Sequence, residues 1–423
     1  MKKVNLFLSL FLVSIFSSLA QQAVIVNGGQ FGNPNENVNV VIYDIPTKTY
    51  TTLDTIHTNS VQDILIDGNE FFVLAQDSIV KYDVQNQSRL AAQAFSGPST
   101  KTVLLSGNEL LVGNWYGKST DNLYIYNATN LQLIDSVSAV QSGVSSMLLD
   151  SNFLYITQNQ TTSSFTDTLG VILKINISTR QIVDSITVNN YSEEFGELIR
   201  MPNGTGFYSI NSGSNTITSV DFNTLNASNT SFNHNLRVGN RSQWSNHGDT
   251  LFLRMNAGIG ALNLQNLAVI DSLIIDTVVT AFVYDTLNRQ FLVTQTDFFS
   301  FTSGKIYNRL GVQTETLTTG FSPEVIDILP LNPVGIVKNK IENKGFELSV
   351  YPNPTQGILN LKFEESSNSV IQVQLLNGSG QLVLNQNLSS TTNQIDLSNL
   401  PKGIYFLNVS NNERRELKKI ILH

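Results

Sequence analysis

Short stretches of alternating hydrophobic and polar residues run along most of the chain, separated by clusters of Gly, Asn, Asp and Ser. Residues 60–93 contain four such stretches, with a tight turn at Asp67-Gly68-Asn69 between the first two. Alternation with a period of two is typical of β-strands, and a short Gly-containing turn is typical of a β-hairpin. Because helical periodicity is absent from the repeats that follow, the pattern predicts an all-β fold.

The four-strand pattern recurs along the first three quarters of the sequence. Repeats begin near residues 61, 101, 144, 196, 241 and 280, so each spans about 40–50 residues, the length of a four-stranded propeller blade. Residues 23–56 supply three strands without a leading one, whereas residues 322–329 look like a leading strand with no blade behind it. Their pairing would close a seven-bladed β-propeller over residues 21–329 and leave no free strand edge.

The repeats resemble the YVTN-type surface-layer propellers and their WD-repeat-like relatives over about residues 23–329. The resemblance is carried by LYIYNATNLQLIDSV (123–137) and ILKINISTRQIVDSITV (172–188), where a strand, a short turn and a hydrophobic-Asp-Ser unit follow one another. Such propellers include binding platforms, surface proteins and a few enzymes. The resemblance therefore implies a fold and not a function.

A different pattern follows the expected linker at residues 330–345. Pro352 and Pro354 lack backbone N–H donors and are expected at a strand end or edge. A hairpin turn is expected at residues 377–380. Residues 346–423 thus predict a small immunoglobulin-like β-sandwich, with strands near 346–351, 357–364, 369–376, 381–388, 393–397, 403–410 and 415–422.

Three motifs in this region are similar to the type A C-terminal sorting domain of the type IX secretion system. They are Pro352-Asn353-Pro354 with Gly357, then Leu400-Pro401-Lys402-Gly403-Ile404-Tyr405, and a basic last strand containing Lys418 and Lys419. The resemblance implies recognition by the type IX secretion machinery in a bacterium of the Bacteroidetes type. It also implies removal of the tail by a surface sortase that joins the passenger to an anionic lipopolysaccharide. The alternative is an accessory immunoglobulin-like module, which has no reason to combine these motifs.

The first twenty residues have the pattern of a secretory signal peptide. Lys2 and Lys3 precede an apolar run from Val4 to Phe16, and a small-residue cleavage pattern ends at Ala20. No later stretch approaches the ~20 apolar residues of a spanning helix, so no transmembrane segment is expected in the mature chain. With 0 cysteines, the stability of the secreted protein must come from a packed core.

The charge of the chain argues against one class of partner. The sequence contains 25 Lys+Arg and 33 Asp+Glu, a formal net charge of -8. Loss of Lys2 and Lys3 with the signal peptide would make the mature chain more negative still. Because phosphate backbones would be repelled, no nucleic-acid partner is expected.

Catalytic and metal-binding motifs are sparse. The four histidines, His57, His234, His247 and His423, show no metal-ligand spacing, and His247 lies in an apparent hairpin turn. No nucleophile elbow, P-loop or dinucleotide-binding glycine pattern precedes a helix. The sequence therefore predicts no cofactor, no metal and no catalytic residue.

Two surfaces of the predicted propeller could bind a ligand. Alignment of the leading strands through their hairpin turns places acidic, basic and polar residues together at the channel rim, namely Gln62, Lys101, Ser145, Glu197, Arg241, Thr280 and Glu324. Long connections between the second and third strands are expected on one face of the ring. These connections contain aromatic residues suited to stacking on sugars or anchoring a protein partner, namely Phe31, Trp115, Tyr116, Phe165, Phe298 and Phe299.

Each surface also has a purely structural interpretation. The rim charges could line a water-filled channel in local pairs, and the aromatic residues could pack between blades. The first functional hypothesis is a binding or adhesion protein that is secreted or displayed on the outer-membrane surface, with a glycan or protein ligand. The alternatives are a propeller enzyme, such as a lactonase, hydrolase or polysaccharide lyase, and a structural surface-layer component.

Overall fold

The alternating sequence folds into strands throughout the chain. The computed structural model describes residues 21–30, 33, 36–95, 100–115, 121–161, 167–189, 195–330, 348–363, 371–377, 382–388, 394–410 and 415–423. The expected signal peptide, the linker residues 331–345 and the turn residues 378–380 lie outside this part of the chain. Two units are distinct, Met1–Val334 and Gly335–His423, and each is described by itself below.

The described part of the first unit contains seven antiparallel sheets of four strands. Sheet 1 has the strand order β28-β1-β2-β3, and sheets 2 to 7 each contain four consecutive strands from β4 to β27. A 3-10 turn at Arg241–Gln243 precedes sheet 6.

The strands of sheets 1 to 4 are β1 (Gln22–Asn27), β2 (Val38–Asp44), β3 (Thr49–Ile56), β4 (Val61–Asp67), β5 (Glu70–Ala75), β6 (Ser78–Asp83), β7 (Ser88–Ala94), β8 (Thr100–Ser106), β9 (Glu109–Asn114), β10 (Leu123–Asn127), β11 (Leu133–Ser136), β12 (Gly143–Asp150), β13 (Phe153–Thr161), β14 (Asp167–Asn176) and β15 (Gln181–Asn189). The remaining strands of this unit are β16 (Phe195–Arg200), β17 (Gly206–Asn211), β18 (Thr216–Asp221), β19 (Ala227–Ser231), β20 (Trp244–His247), β21 (Thr250–Met255), β22 (Gly258–Asn263), β23 (Val269–Ile275), β24 (Ala281–Asp285), β25 (Gln290–Thr294), β26 (Gly304–Asn308), β27 (Gln313–Leu317) and β28 (Pro323–Ile328).

The inner strands are buried on both faces, which explains their nearly continuous hydrophobic sequences. In β1, Val24 and Val26 pack in a cluster shared with sheet 2, whereas Ala23 and Ile25 pack in a cluster shared with sheet 7. The fourth strand of a sheet, such as β7, is largely exposed even where its sequence contains apolar residues, such as Leu90 at 49% exposure. Burial therefore falls at the outermost strand, as expected for sheets that pack face to face around a centre.

The hydrophobic clusters join the sheets in a closed series. Within the described residues of this unit, each of seven clusters is shared by two consecutive sheets, and the cluster of sheet 7 is shared with sheet 1. This architecture of repeated four-stranded sheets fits the predicted β-propeller. The predicted hairpin turn after Asp67 is also confirmed, with Gly68 at a φ of 58°.

The predicted closing pair is present. Strand β28 is hydrogen bonded antiparallel to β1, with Ala23 opposite Ile328 and Ile25 opposite Ile326. Val325 and Ile326 are each 1% exposed. The last strand of the unit therefore completes the first sheet and occupies its inner edge.

The second unit contains two sheets. Strands β29 (Leu348–Tyr351), β30 (Ile358–Phe363) and β33 (Gln394–Asp396) form one, and β31 (Ile371–Asn377), β32 (Leu382–Leu388), β34 (Gly403–Ser410) and β35 (Arg415–Leu422) form the other. Leu359 and Leu361 of the first sheet share a buried cluster with Val373 and Leu407 of the second. The strands lie within about two residues of the predicted ones, because period-two alternation is clear in this region.

Truncation tests the closure. A chain ending at Gly320 lacks β28 and with it two fully buried aliphatic side chains, so we expect its free energy of unfolding to fall by at least ~4 kcal/mol. It should also aggregate through the exposed edge of β1. A chain ending at Pro330 is the matched control. Equal thermal stability and solubility of the two truncated chains would contradict the closure.

Candidate functional site

Four of the aligned rim residues lie at β-bulges in the first strands of their sheets. The antiparallel register shifts at Gln62 in β4, Lys101 in β8, Ser145 in β12 and Glu197 in β16. A bulge bends the strand and redirects its side chains. The hairpin alignment therefore found structurally equivalent positions.

The structure brings three of the seven predicted rim residues, Lys101, Glu197 and Arg241, into one charge cluster. Arg241 and Lys101 both interact electrostatically with Glu197, and Lys101 Nζ donates to the backbone oxygen of Gly239 at 2.7 Å. Gln62 instead donates to the hydroxyl of Ser60. Glu324 accepts from the hydroxyl of Ser322 at 2.8 Å.

Sequence reasoning missed Asp63, the most buried acid of the cluster. Its carboxylate accepts hydrogen bonds from the backbone N–H groups of Ile64 and Val103, and its Oδ1 lies 3.7 Å from Nε of Arg241. The signal was next to the predicted residue, since Gln62 is the extra residue of the bulge in β4. Because the bulge breaks the period of two, alternation alone points to the wrong neighbour.

Burial dominates the ionisation of the cluster. It raises the pKa of Glu197 to about 7, with Arg241 and Lys101 opposing the shift and Asp63 adding to it. Burial also raises the pKa of Asp327 to about 6 and the pKa of Asp63. Acidic and basic side chains are mixed in this cluster. Because the pKa values of Glu197 and Asp327 are raised, these two carboxyl groups titrate near neutral pH.

The cluster connects most of the ring. Among the described residues, Asp63, Lys101, Glu197 and Asp327 come from sheets 2, 3, 5 and 1, and Arg241 comes from the turn before sheet 6. Ser146 of sheet 4 donates its hydroxyl to Glu197 at 3.1 Å and accepts the N–H of Leu198. These contacts make the cluster a polar centre shared by the first strands.

Three of the predicted aromatic residues lie in the described part of the chain, in two different long connections. Trp115 is half-buried, with Nζ of Lys101 4.0 Å from its ring centre. Phe298 and Phe299 are 53% and 72% exposed, in the connection between the second and third strands of sheet 7. Phe31, Tyr116 and Phe165 lie outside the described residues.

Trp115 lies in the wall of a cavity of about 610 Å³. Three described wall segments, at Trp115, Ser212–Asn215 and Asn256–Ala257, connect the second and third strands of sheets 3, 5 and 6. Of these segments, Asn256–Ala257 lies in the wall of an adjoining cavity of about 380 Å³. The walls of both contain Asn235, Arg237 and Arg254.

The arginines of these cavities were also missed by sequence reasoning. Arg254 lies at the end of β21, and Arg237 lies in the connection between sheets 5 and 6. Neither occupies a position that the repeat alignment compares. Only their nearness to strand ends in an acidic protein could have indicated them.

The sorting motifs are joined by hydrogen bonds in the second unit. The side chain of Asn353 donates to the backbone oxygen of Lys419 at 2.7 Å and accepts the N–H of Ile421 at 2.9 Å. The N–H of Thr355 also donates to the oxygen of Ile421. The first motif is therefore paired with the last strand, although they are at opposite ends of the unit.

The remaining sorting residues have local roles. Gly357 has a φ of 146° and a Cβ there would lie 2.4 Å from Oγ of Ser398, so another residue would clash. Gly403 has a φ of 159°, and the hydroxyl of Tyr405 donates to the backbone oxygen of Pro401. Pro352 and Pro354 are exposed just after β29, as predicted, while Lys419 is exposed and Lys418 half-buried.

Comparison with known protein families identifies the second unit. Residues 349–423 match the secretion system C-terminal sorting domain family. The predicted type IX sorting domain is thereby confirmed, and it points to export to the cell surface or the medium. No helix in the described part of the chain is long and apolar enough to span a membrane.

Solved structures resemble the chain at the level of the fold. A candidate 6-phosphogluconolactonase from Bacteroides uniformis has a TM-score of 0.52 and 12% identity, with 74% of this chain and 100% of that chain covered. The extracellular domain of a candidate one-component system from B. thetaiotaomicron has a TM-score of 0.48 and 12% identity, with 96% of this chain covered; the present chain spans 60% of its length.

The Cps50 (Swd1) β-propeller domain of Myceliophteria thermophila has a TM-score of 0.47 and 10% identity, with 66% of this chain and 94% of that chain covered. Comparison with curated proteins finds no match. The four-stranded sheets of the first unit fit a β-propeller, and the second unit matches the secretion system sorting domain.

Half-buried Glu324 gives the stability of the first unit a pH dependence. Burial raises the pKa of Glu324 to about 7, from an ordinary value of 4.5. Between about pH 5 and about pH 7, the folded state therefore keeps a proton that the unfolded chain has lost. The free energy of unfolding falls as the pH rises through this range. We expect Glu324→Gln to stabilise the protein at pH 8 by ~2 kcal/mol and to have little effect at pH 4.5.

Denaturant unfolding at both pH values measures this difference. Glu315→Gln is the control, because Glu315 is more exposed and paired with Lys48. Glu324→Gln with the same effect at both pH values would show that the pKa of the carboxyl is not raised in the folded protein.

Proposed function

We propose that this protein is a seven-bladed β-propeller with an immunoglobulin-like sorting tail, exported by the type IX machinery to bind a ligand outside the cell. The proposal takes residues 21–329 as the propeller, 330–345 as the linker and 346–423 as the tail. Its support comes from the two units, the sorting-domain match and the cavity containing Trp115.

The blade count is supported by packing. The described sheets 1 to 7 would each be one blade, because every buried cluster of this unit lies between consecutive sheets and the series returns to sheet 1. The pairing of β28 with β1 supports the same closure. The shared core of the two sheets in the second unit supports the sandwich.

Export gives the tail a separate function. A Bacteroidetes-type secretion apparatus would recognise the exposed motifs around Pro352 and Lys419 while the propeller is the passenger. A surface sortase would then cut in the linker and attach the passenger to lipopolysaccharide. The pairing of Asn353 with the last strand supports recognition of both chain segments as one feature.

The cavity is the observation that carries the binding function. Its volume of about 610 Å³ is within the range of small-molecule sites, and its wall combines one aromatic ring with amides, hydroxyls and cations. Such a mixture suits a polar, ring-shaped ligand such as a saccharide. Together with the adjoining cavity, it lies where strand connections from three sheets meet.

An enzyme is the second candidate, favoured by Glu197. A carboxyl with a pKa raised to about 7 by burial, beside Arg241 and Lys101, is suited to proton transfer. Glu197 is 6% exposed, however, and does not line either cavity. Its contacts with Ser146 and with cations of neighbouring sheets suit a structural centre better, which favours binding over catalysis.

Deletion of β35 tests the export proposal. We expect a chain without residues 415–423 to remain in the periplasm, because the last strand supplies the partner of Asn353 and a buried edge of the tail core. Grafting residues 346–423 onto a foreign periplasmic reporter should carry it to the surface. Immunoblots of cell fractions measure both, and normal surface display of the shortened chain would overturn the assignment.

Substitution of Trp115 tests the binding proposal. We expect Trp115→Ala to reduce saccharide binding on a glycan array at least about tenfold, because the ring supplies an apolar wall of the cavity. Phe299→Ala is the control, since Phe299 is exposed elsewhere. Unchanged binding by Trp115→Ala, with a folded protein by circular dichroism, would exclude this cavity as the saccharide site.

A further inference from the structure

We propose that the cavity beside Trp115 selects an acidic saccharide, whose sulfate or carboxylate group is bound by Arg237 and Arg254. The inference rests on the proposed binding function and specifies the class of ligand. It is carried by the placement of two arginines, which have no acidic partner among the described residues, in the walls of both adjoining cavities.

Backbone pairing places the two arginines side by side. The N–H of Arg237 donates to the backbone oxygen of Arg254 at 3.0 Å, and Leu236 forms an isolated bridge with Met255. Burial together with the charge of Arg237 lowers the pKa of Arg254. Two like charges are therefore held close together, an arrangement that an anion between them would stabilise.

Neither guanidinium has an ion pair among the described residues. Four other described arginines of this acidic chain have carboxylate partners, namely Arg89, Arg180, Arg200 and Arg241. Arg289 and Arg309, which also have no ion pair among the described residues, are exposed and line neither cavity. The described walls of the two cavities contain no Asp or Glu. In a chain with 33 acidic residues, this local excess of positive charge is a feature of the cavity and not of the protein. Guanidinium groups bind sulfate and carboxylate through paired, charge-assisted hydrogen bonds.

The segment that carries Arg237 is fixed on both sides. On one side, the N–H of Leu236 donates to Oδ1 of Asn215, and the N–H of Val238 donates to the hydroxyl of Ser212. On the other side, the segment is paired with β21. The site is therefore largely ordered before a ligand arrives, which lowers the entropic cost of binding.

The rest of the cavity favours a sugar over a free inorganic anion. A single sulfate would leave most of a 610 Å³ cavity empty and would not stack on the ring of Trp115. The net charge of -8 would repel a long phosphate backbone. A saccharide unit with one acidic group fills more of the space and uses both the ring and the cations.

Titration calorimetry of the full-length protein tests the proposal. The probes are dextran sulfate oligomers and oligogalacturonate, with unsulfated dextran and methyl-esterified oligogalacturonate as their neutral counterparts. We expect at least one acidic probe to bind and its neutral counterpart to bind at least about tenfold more weakly. Binding of dextran sulfate alone would assign a sulfate ligand, and binding of oligogalacturonate alone a carboxylate ligand.

Two variants assign the binding to the cavity. Arg254→Gln and Arg237→Gln should each weaken binding of the acidic probe about ten- to a hundredfold, the usual effect of losing a charged hydrogen-bond donor. Arg309→Gln and Arg289→Gln, which remove exposed arginines elsewhere, should change the affinity less than about twofold. Thermal melting confirms that all four variants are folded.

The outcomes separate this inference from the binding function. Equal binding of acidic and neutral probes that is lost in Trp115→Ala would overturn the acidic-ligand inference and leave the binding function standing. Acidic-probe binding that falls equally in all four arginine variants would show a diffuse charge effect and overturn the site. Absence of binding to any probe would overturn the saccharide ligand, and a silent glycan array would additionally overturn the proposed binding function.

Discussion

The pairing of β28 with β1 is the constraint on which the first unit depends. It brings residues some 300 positions apart in sequence into one sheet, and this sheet packs against its neighbours on both faces. Without it, sheet 1 would lose its inner strand, and the buried clusters toward sheets 2 and 7 would lose Val325 and Ile326. The cost of closing such a long loop is offset only when all the sheets pack together, so the unit should fold cooperatively.

The bulged first strands form the polar centre, which also reaches the cavity. The first strands carry bulges that direct Lys101 and Glu197 toward Arg241, and the resulting cluster joins sheets that are not neighbours in sequence. Lys101 connects this centre to the cavity, since its ammonium group contacts both Gly239 and Trp115 in the cavity wall. The charge cluster thus helps to fix the position of the cavity wall, and a substitution in the cluster or in the wall is expected to affect the other.

Much of this architecture could be predicted from the sequence because it depends on repetition. Alternation located the strands, the spacing of hairpin turns located the sheets, and the missing first strand located its partner at Pro323–Ile328. Prediction failed where the repeat is broken. Asp63 was missed because a bulge shifts the period by one residue, and Arg237 was missed because it lies in the connection between sheets 5 and 6, outside the strands that the repeat alignment compares.

Hydrogen exchange of the backbone amides tests the closure most directly. The account predicts that the amides of Val24, Val26 and Val325 exchange together and only through global unfolding, because β28 is an integral inner strand. Exchange of Val325–Ile328 that is much faster than that of β2 and β5 would contradict it, since β28 would then be a detachable edge and the ring would be held by packing alone.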